Sequence, residues 1–370
     1  RSIEIDAARK CFYQGEIASL IVSASNGVGG ILEKSDLENY REKYSPPICT
    51  TFMGHEIHGH STWTQGPVLQ QALNILENFD LKMMGHNSVA YIHTITEALK
   101  LAFADREAFY GDPDFSLIPI DGLLSKNYGV ERAHNIDPKA ACNGLPLYGN
   151  PWNYSREHGE ITQQPIIDAA AESDLQHEAG TTHIAAIDRD GNMVCSTPSG
   201  GAFEKSVFFS DLGFALSTRS EMLNFTHGHP NRLEPGKRPR TTIINYMISK
   251  DGIPVYTVGC PGGDAQPQAN LQLMLNILLW NMNPQEAVEA PRFATLSMPN
   301  SFFPHRYLPS RLSVEKGIPS DVKRELSELG HEIVEVATCG MGATITKRDS
   351  ATRVLAASAD PRRACYAMGY

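Results

Sequence analysis

The sequence lacks any paired arrangement of cysteines. Its seven cysteines are odd in number and widely separated, and no two of them form a CxxC pair. This scatter excludes the disulfide framework of small secreted domains and the closely spaced ligand pairs of a zinc knuckle. Because unpaired thiols persist in reducing compartments, the cysteine pattern favours a cytoplasmic location.

An excess of positive charge and a long apolar run are also missing. Asp and Glu outnumber Lys and Arg by 42 to 32, which gives a net charge of −10 and excludes the basic surface of a nucleic-acid-binding protein. The longest apolar stretch, residues 271–280, is interrupted by Gln272 and Asn276 and is much shorter than the roughly 20 residues that span a bilayer. The sequence therefore predicts no nucleic-acid partner and no transmembrane span.

The chain begins at Arg1 with a helix-like stretch and carries neither an initiator Met nor an apolar leader. We expect that a preceding part has been removed. A periplasmic or secreted location therefore stays open as the alternative to the cytoplasm.

The first half of the chain is predicted to be mostly helical. Apolar residues recur at helical spacing over residues 65–79 and again over Val89–Phe109, where the Gly-Asp-Pro run at 111–113 ends the second helix. From about residue 140 to 180, Gly, Pro, Asn, Gln, Glu and His dominate and apolar periodicity fades. This composition predicts a flexible surface linker.

The second half is predicted to contain strands and a few helices. Two strand-like runs, 182–187 and 193–197, flank Asp190-Gly191, which is a strong hairpin signal. Further helices are expected at 266–280 and 319–329, and further strands at 242–248, 254–258, 331–336, 343–346 and 354–358. Strands mixed with buried helices, without an internal repeat, indicate an α+β or layered sandwich fold.

A Gly-Thr-Thr-His run stands where the polar linker meets the predicted hairpin. If the chain were cleaved between Gly180 and Thr181, one residue would carry both a hydroxyl nucleophile and a free α-amino group. An α-amino pKa of about 7.7 to 8.0 suits a general base at neutral pH. Gly180 has no side chain that would hinder attack of the Thr181 hydroxyl on its carbonyl. The ordinary alternative is a pair of threonines that simply opens a strand.

Short motifs follow one another along almost the whole chain. Those of the second half are Thr181-Thr182-His183, residues 188–192, 237–239, 259–263, 287–293 and 360–362, and the terminal Gly369-Tyr370. Those of the first half are residues 12–18, 73–80, 104–106 and 111–115. In this order and spacing, the motifs together resemble the γ-glutamyltranspeptidase family of N-terminal-nucleophile (Ntn) hydrolases.

The resemblance implies an α+β fold of the Ntn-hydrolase type, a four-layer αββα sandwich. It also implies a precursor that is cleaved before Thr181. Residues 1–180 would then be the C-terminal part of a large subunit, ending in the linker from about 140, and residues 181–370 a small subunit. The two subunits would interdigitate in one fold as a heterodimer, and a dimer of such heterodimers is a further assembly that the family allows.

The resemblance also implies roles for four residues. Thr181 matches the family nucleophile, and Ser199 stands at the place of a threonine whose hydroxyl hydrogen-bonds that nucleophile. Gly262 and Gly263 match paired glycines whose backbone N–H groups form an oxyanion hole, where the absence of a Cβ lets the backbone approach the reacting carbonyl. The family mechanism needs no metal and no cofactor.

The positions that hold a substrate α-carboxylate in the family are changed here. Ser45 stands in place of an arginine, and Arg240-Thr241-Thr242 replaces a Leu-Ser-Ser run. Two hydroxyls are kept, and Arg240 adds a cation that would serve a carboxylate from another side. Because a bidentate arginine contact recognises a carboxylate strongly, moving it should severely weaken γ-glutamyl binding.

The positions that hold a substrate α-amino group are changed as well. Gly201 stands where asparagine is usual. Counted without gaps, Arg219 and Met222 replace a glutamine and an aspartate, whereas a shift of two residues would offer Glu221 and Asn224 instead. For both substituted arginines, the alternative to a binding role is a solvated surface cation.

Two histidine clusters lack the spacing of a zinc-binding helix. Histidines stand at 55, 58 and 60 and at 227 and 229, with Glu56 as the only carboxylate inside either cluster. We expect solvent-exposed histidines at these positions and no metal.

The sequence thus predicts an autoprocessing Ntn amidohydrolase that transfers the acyl group of a small amide to Thr181 and releases it with water. The expected substrate is a carboxylated or acylated amide other than a γ-glutamyl compound, as in the oxamate amidohydrolase and cephalosporin or glutaryl acylase relatives of the family. Two alternatives stay open. One is a γ-glutamyltransferase or glutathione hydrolase, and the other is an unprocessed, non-catalytic binding protein of the same fold.

Overall fold

The computed structural model describes residues 1–159, 180–201, 205–340 and 342–369. The chain divides into two compact units, a small one of Arg1–Pro46 and Gly200–Thr218 and a large one of Pro47–Ser199 and Arg219–Tyr370. None of the described helices combines the length and the apolar character needed to cross a membrane.

Helices and strands are mixed throughout the described residues, as the predicted α+β class requires. The helices are α1 (Ser2–Tyr13), α2 (Glu16–Gly27), α3 (Lys34–Asn39), α4 (Gly66–Leu76), α5 (Leu81–Met84), α6 (Val89–Phe109), α7 (Ile120–Leu123), α8 (Lys126–Ala133), α9 (Gln266–Leu278), α10 (Pro284–Glu289) and α11 (Ser320–Glu328). The strands are β1 (Ile48–Phe52), β2 (His55–Gly59), β3 (Ile184–Ile187), β4 (Met193–Ser196), β5 (Phe208–Phe209), β6 (Phe214–Ala215), β7 (Asn245–Lys250), β8 (Ile253–Gly259), β9 (Phe293–Thr295), β10 (Arg311–Glu315), β11 (Glu332–Val336), β12 (Thr344–Arg348) and β13 (Leu355–Ala357).

The small unit carries α1, α2, α3 and the short hairpin β5–β6. The helix predicted at the start of the chain is confirmed by α1, which buries none of its side chains. In contrast, α2 buries Ala18, Ile21 and Ser25. Stacking of Tyr13 on Tyr40, with ring centroids 5.4 Å apart, joins α1 to the residue that follows α3.

The large unit is built on a six-stranded antiparallel sheet in the order β1-β2-β7-β8-β12-β13. Strands β1 and β2 precede residue 180, and the other four follow it. The two groups meet where β2 pairs with β7, with Glu56 opposite Ser249 and His58 opposite Met247. The sheet is therefore continuous across the predicted cleavage position.

The helices α4, α6 and α9 supply much of the apolar core of the large unit. Helix α6 confirms the predicted bounds and buries every residue from Tyr91 to Phe109. Its N-cap Ser88 accepts a hydrogen bond from the Tyr91 N–H, which satisfies one of the donors that a helix start leaves unpaired. Helix α9 has Pro267 in its first turn, where no N–H donor is needed, and ends two residues before the predicted position.

The hairpin β3–β4 packs against β8 and β12 of the six-stranded sheet. In its turn, the Asp188 carboxylate accepts the N–H groups of Asp190 and Asn192 at 2.9 Å each. Gly191 has a φ of 90°, a backbone conformation that favours glycine. These contacts confirm the hairpin predicted from Asp190-Gly191.

Five predicted strands are confirmed as β7, β8, β11, β12 and β13. Their observed bounds differ from the predicted ones by up to three residues. The strands β1, β2, β5, β6, β9 and β10 are not predicted from the sequence. In β1 and β2, threonines and histidines occupy positions where apolar residues would alternate, so the pattern that predicts a strand is weak there. In β10, Leu312 and Val314 do alternate, and the prediction overlooked this signal.

The predicted surface linker is only partly described. Within residues 140–159, Pro151 and Trp152 are buried in a short 3-10 turn, and the Leu147 carbonyl accepts a hydrogen bond from Arg132. The expectation of a surface linker beginning at residue 140 is therefore wrong for this buried turn, because Trp152 packs into the core of the large unit. Residues 160–179 lie outside the described residues.

Candidate active site

Thr181 lies at the open end of the hairpin β3–β4. The strands pair Ile184 with Ser196, and the pairing continues beyond them, because the Thr182 N–H donates to the Pro198 carbonyl at 3.2 Å. In an antiparallel ladder, each step forward on one strand is matched by a step back on the other. Position 181 therefore faces position 199, although the two are 18 residues apart in sequence.

A chain of hydrogen bonds runs from Thr181 to an arginine. Thr181 Oγ1 lies 2.9 Å from Ser199 Oγ. Arg219 donates through Nη2 to the same Ser199 oxygen at 2.5 Å and through Nη1 to Thr242 Oγ1 at 3.0 Å. A permanent cation is thus held next to the hydrogen-bond partner of Thr181, where it favours negative charge on the hydroxyl oxygens.

Both arginines of the expected binding site are buried. The exposed fraction is 9% for Arg219 and 2% for Arg240. The guanidinium of Arg219 also lies over the ring of Phe302, 5.6 Å from its centroid. The alternative of a solvated surface cation is therefore wrong for both residues.

Arg240 is paired with a buried carboxylate. Its Nη1 lies 3.0 Å from Glu107 Oε1, and the same oxygen lies 2.7 Å from Arg106 Nε. Burial raises the pKa of Glu107, but the charges of Arg240 and Arg106 outweigh it and lower the pKa to about 2. The cation expected to meet a substrate carboxylate is thus already paired with a carboxylate inside the protein. The substrate-binding role of Arg240 stays a prediction.

The structure places the candidate residues of both registers without testing which of them meet a substrate. In the ungapped register, Arg219 donates to Ser199, and the fully buried Met222 has its Sδ 3.6 Å from Arg219 Nη1. In the shifted register, Asn224 Oδ1 accepts the Thr226 N–H at 2.7 Å and so closes a turn. Glu221 lies with Arg219 in one short 3-10 turn.

The structure also describes the remaining residues that the sequence predicts for the site. The Thr241 N–H donates to the Trp63 carbonyl at 2.9 Å, so this residue joins two backbone segments. Gly180 is exposed and directly precedes Thr181. Ser45 and Gly201 belong to the small unit.

Gly262 and Gly263 connect β8 to α9 in conformations that favour glycine, with φ values of 125° and 52°. A Cβ at either position would find its nearest neighbours at 3.7 and 3.8 Å, so backbone conformation and not crowding requires glycine. Within the part of the chain that the structure describes, neither backbone N–H donates to a protein acceptor. Two adjacent N–H donors of this kind suit an oxyanion.

Asp264 anchors the loop that carries these glycines. Its carboxylate accepts hydrogen bonds from Arg106 Nη1 at 2.5 Å and from the N–H and the hydroxyl of Ser301 at 2.7 and 2.6 Å. Sequence reasoning missed this anchor. Its signals were present, because Asp264 directly follows the paired glycines and Arg106 belongs to the matched motif at 104–106.

Gln65 ties the glycine loop to the hydrogen-bond chain of Arg219. Its Nε2 donates to the Gly263 carbonyl at 2.9 Å and to the Thr242 carbonyl at 3.1 Å. A separate hydrogen bond holds the backbone of Thr181, because Arg363 donates to the Thr181 carbonyl at 3.1 Å. No local pattern distinguishes Gln65 in the sequence, since its partners lie almost 200 residues further along.

His183 lies two residues after Thr181, and its Nδ1 is 2.9 Å from Thr197 Oγ1. The ring fills the space beside Gly259, where a Cβ would overlap it. Burial lowers the pKa of His183 to about 4. The imidazole is therefore neutral at pH 7 and brings no positive charge to Thr181.

The histidines expected to be solvent-exposed are largely engaged with neighbouring strands. His58 Nε2 lies 2.8 Å from Ser249 Oγ, and His60 Nε2 lies 3.0 Å from Asn245 Oδ1. His229 is buried. The expectation of exposure is wrong for His58 and His60, because β2 pairs with a strand that the sequence does not reveal as its neighbour. It is wrong also for His229, whose Nδ1 accepts the Asn231 N–H at 3.0 Å, whereas His227 is exposed as expected.

A different buried group brings metal-ligating atoms together. The candidate ligand atoms of His93, Glu97 and His331 lie within 4.8 Å of one another among the described residues. His93 Nδ1 lies 2.9 Å from His331 Nε2, and Lys100 donates to Glu97 Oε1 at 2.7 Å. The ammonium group already supplies the positive charge that a metal would bring to Glu97, so these contacts are satisfied within the protein.

A mixed α+β fold, a threonine at the end of a strand and a glycine loop with two free backbone N–H donors are each features of the Ntn hydrolases, which act on amide bonds. The chain belongs to the γ-glutamyltranspeptidase family, because the family model described as Gamma-glutamyltranspeptidase matches residues 5–370. This match confirms the resemblance seen in the motifs. The family comprises amide-bond hydrolases, some of which have transferase activity.

Relatives of this chain carry the names of glutathione hydrolases and acylases. The "Glutathione hydrolase proenzyme" of Bacillus subtilis (strain 168) is 32% identical over 327 residues, which cover 87% of this chain and 52% of that protein. The "Acylase ACY 1 proenzyme" of Pseudomonas sp. (strain V22) is 31% identical over 340 residues, which cover 90% and 54%. The crystal structure of cephalosporin acylase from Bacillus halodurans matches with a TM-score of 0.79 and 29% identity over 97% of this chain and 63% of the other. The chain spans about half the length of the curated relatives it matches.

Proposed function

We propose that this protein is an autoprocessing Ntn amidohydrolase in which Thr181 becomes the N-terminal nucleophile. The observation that carries the proposal is the 2.9 Å contact between Thr181 Oγ1 and Ser199 Oγ, which continues to Arg219. Cleavage between Gly180 and Thr181 would free an α-amino group beside that hydroxyl. The naming of relatives as proenzymes supports the processing step.

The chemistry follows from these groups. The α-amino group takes the proton of Thr181 Oγ1 as this oxygen attacks the amide carbon, and the carbonyl oxygen becomes an anion held by the N–H groups of Gly262 and Gly263. When the intermediate collapses, the C–N bond breaks and the leaving amine takes the proton from the α-ammonium group. Water then attacks the ester on Thr181, loses a proton to the α-amino group, and releases the carboxylic acid as the proton returns to Oγ1.

For the assembly, we propose a heterodimer of residues up to 180 with residues 181–370, built as the four-layer αββα sandwich of the Ntn hydrolases. The continuous sheet in which β2 pairs with β7 supports this arrangement, since both pieces contribute strands to it. Packing of β3–β4 on β8 and β12 supports a second layer of strands.

For the substrate, we propose a small acyl amide that carries no γ-glutamyl group. Two observations support this choice: Ser45 replaces the arginine of the family's carboxylate site, and Arg240 is neutralised by Glu107. Comparison of γ-glutamyl-p-nitroanilide with acetyl- and butyryl-p-nitroanilide tests it. We expect kcat/KM to be at least tenfold higher for the simple acyl anilides, and the reverse order would overturn the substrate proposal.

Glutathione hydrolysis is the second candidate function. It is favoured by the name of the Bacillus subtilis relative, which is 32% identical over 87% of this chain. A glutathione hydrolase would turn over γ-glutamyl-p-nitroanilide rapidly, so the same comparison of substrates separates the two functions.

The processing step is tested by replacing the nucleophile. We expect Thr181→Ala to remain a single chain by intact-mass analysis at neutral pH and to lose amidase activity by at least 1,000-fold, because one hydroxyl performs both reactions. The exposed neighbour provides the matched control, and Thr182→Ala should be cleaved and active. A Thr181→Ala protein that matures, or a wild-type chain that stays uncut and inactive, would instead favour the non-catalytic binding protein.

A further inference from the structure

A cavity of about 540 Å³ lies beside Gly262 and Gly263 in the large unit. Much of its wall comes from the segment that includes β9 and from the residues that follow β11. The apolar side chains of this wall include Ala294, Leu296, Met298, Phe302, Val336 and Ala337. Because a cavity of about 150 Å³ holds a benzene molecule, this one has room for a chain or ring of more than six carbon atoms.

Two polar side chains of the wall make their hydrogen bonds to the protein. The Gln268 amide donates to the carbonyls of Asp264 and Thr295 at 3.1 Å each and accepts the Thr295 N–H at 2.8 Å. The Asp264 carboxylate is held by Arg106 and Ser301. These two groups therefore stabilise the wall. Other polar residues, among them Arg306, Tyr307 and Thr338, also line the cavity, but most of its surface is apolar.

Phe302 connects this cavity with the hydrogen-bond chain that begins at Thr181. Its ring lines the cavity and also lies 5.6 Å from the guanidinium carbon of Arg219, which donates to Ser199. The oxyanion glycines line the same cavity. An amide carbonyl bound at Gly262 and Gly263 would thus lie against the apolar cavity.

We infer that this cavity binds the acyl side of the substrate and selects amides of apolar carboxylic acids, such as alkanoyl or arylacetyl amides. The inference rests on the proposed function and names the substrate class of the same site. An apolar wall gains from every methylene removed from water, whereas a γ-glutamyl group would carry an ammonium and a carboxylate into the site at a large desolvation cost. The same acyl group would stay in the cavity throughout both halves of the reaction.

The first experiment measures kcat/KM of the processed protein for acetyl-, butyryl- and hexanoyl-p-nitroanilide. We expect an increase of about fourfold for each added methylene, the factor that corresponds to its burial. A second series keeps the acetyl group and lengthens the alkyl chain of the amine, and here we expect no such increase. An increase confined to the amine series would assign the cavity to the leaving group and overturn the inference.

Two variants test whether the increase arises in the cavity. Ala337 is an exposed residue at the cavity wall, so Ala337→Phe should fill space there without disturbing the core. We expect it to reduce the ratio of hexanoyl to acetyl turnover by at least tenfold. Ala351→Phe adds the same ring at an exposed turn outside the lining and should keep the wild-type ratio. A ratio that is equal in both variants would overturn the inference.

Binding of hexanoate and acetate, measured by calorimetry on the processed protein, separates the inference from the proposed function. Stronger binding of hexanoate that is lost in Ala337→Phe supports the apolar acyl site even if no amide is turned over, in which case the proposed function alone fails. Turnover of acetyl amides with no dependence on acyl length, together with equal binding of the two acids, supports the proposed function and overturns the cavity assignment.

Discussion

The Arg219 guanidinium lies between two hydroxyl groups, those of Ser199 and Thr242. The sequence predicts a contact with substrate, but the guanidinium donates to Ser199 and Thr242 and so acts on the partner of Thr181. A cation in this position stabilises negative charge on the hydroxyl oxygens and opposes protonation of a nearby amine. If Thr181 is the nucleophile, as proposed, Arg219 would position its partner Ser199 and raise the electrostatic potential beside it.

The pH dependence of activity tests this role. Activity should rise with pH as the α-amino group loses its proton, and a nearby cation lowers the pKa of that group. We expect Arg219→Gln to move the rising limb of kcat/KM to higher pH by about one unit. Arg219→Lys, which keeps the charge, should restore most of the shift. A profile that is identical in wild type and Arg219→Gln would contradict the electrostatic role.

For single residues, the sequence predicts those contacts that depend on neighbours close by in the chain. The family resemblance assigns Ser199, and the nearby hairpin turn sets the register that places it opposite Thr181. The pairing of Arg240 could not be predicted, because its counterion Glu107 belongs to α6, more than 130 residues earlier in the chain. A cation in a sequence gives no indication of whether a distant carboxylate neutralises it.

Among the elements, the loop between β8 and α9 is the one on which the proposed chemistry depends. Three side chains from elsewhere in the chain hold it: Gln65 donates to the Gly263 carbonyl, and Arg106 and Ser301 donate to the Asp264 carboxylate. Preorganised donors of this kind need no rearrangement when charge develops on the substrate. The loop therefore combines a glycine backbone with rigid support from outside.

Substitution of Gly263 separates this chemical role from backbone strain. Gly263→Ala should cost about 1–2 kcal/mol of stability because of its left-handed φ, and it should lower kcat about 100-fold as the N–H donor shifts. Gly252 has a similar left-handed φ in an open turn, so Gly252→Ala is the matched control and should lose stability alone. Thermal unfolding and kcat of both variants provide the measurement. Equal kcat values would refute the oxyanion assignment.

The elements differ in how well the sequence reveals them. Helix α6 is predicted to the residue, because its apolar period is long and Gly-Asp-Pro terminates it. The pair β1–β2 is missed, because its strands are stabilised by a partner, β7, that lies almost 200 residues away. Local periodicity predicts an element that buries one continuous face, and it fails for a polar strand completed by long-range pairing.

For the whole molecule, buried ion pairs around Arg106 connect α6 to segments far along the chain. Glu107 pairs with Arg240, and Arg106 pairs with Asp264. Removing one partner from such a buried group leaves a charge without compensation and is strongly destabilising, by about 3–5 kcal/mol. Global stability therefore depends on the ionisation of these carboxylates.

Acid should weaken the fold through Glu107. Its pKa is about 2 in the folded protein and 4.5 ordinarily, so the ion pair contributes fully above pH 4.5 and is lost as pH falls to 2. We expect the free energy of unfolding to drop by about 3 kcal/mol over this range from Glu107. The double variant Glu107→Gln, Arg240→Met should reduce this drop, whereas the exposed Glu325→Gln should not. Denaturant unfolding at several pH values measures it, and identical curves would contradict the assignment.

The sheet in which β2 pairs with β7 has a consequence for the lifetime of a cleaved molecule. A break between Gly180 and Thr181 would leave both pieces in one sheet, so neither would retain a complete core alone. Folding of the uncut chain is a unimolecular event, but regaining the fold from two separated pieces requires a bimolecular encounter. The mature form would then persist because it unfolds slowly and not because it refolds readily. A molecule that unfolds after cleavage would therefore not readily regain its fold.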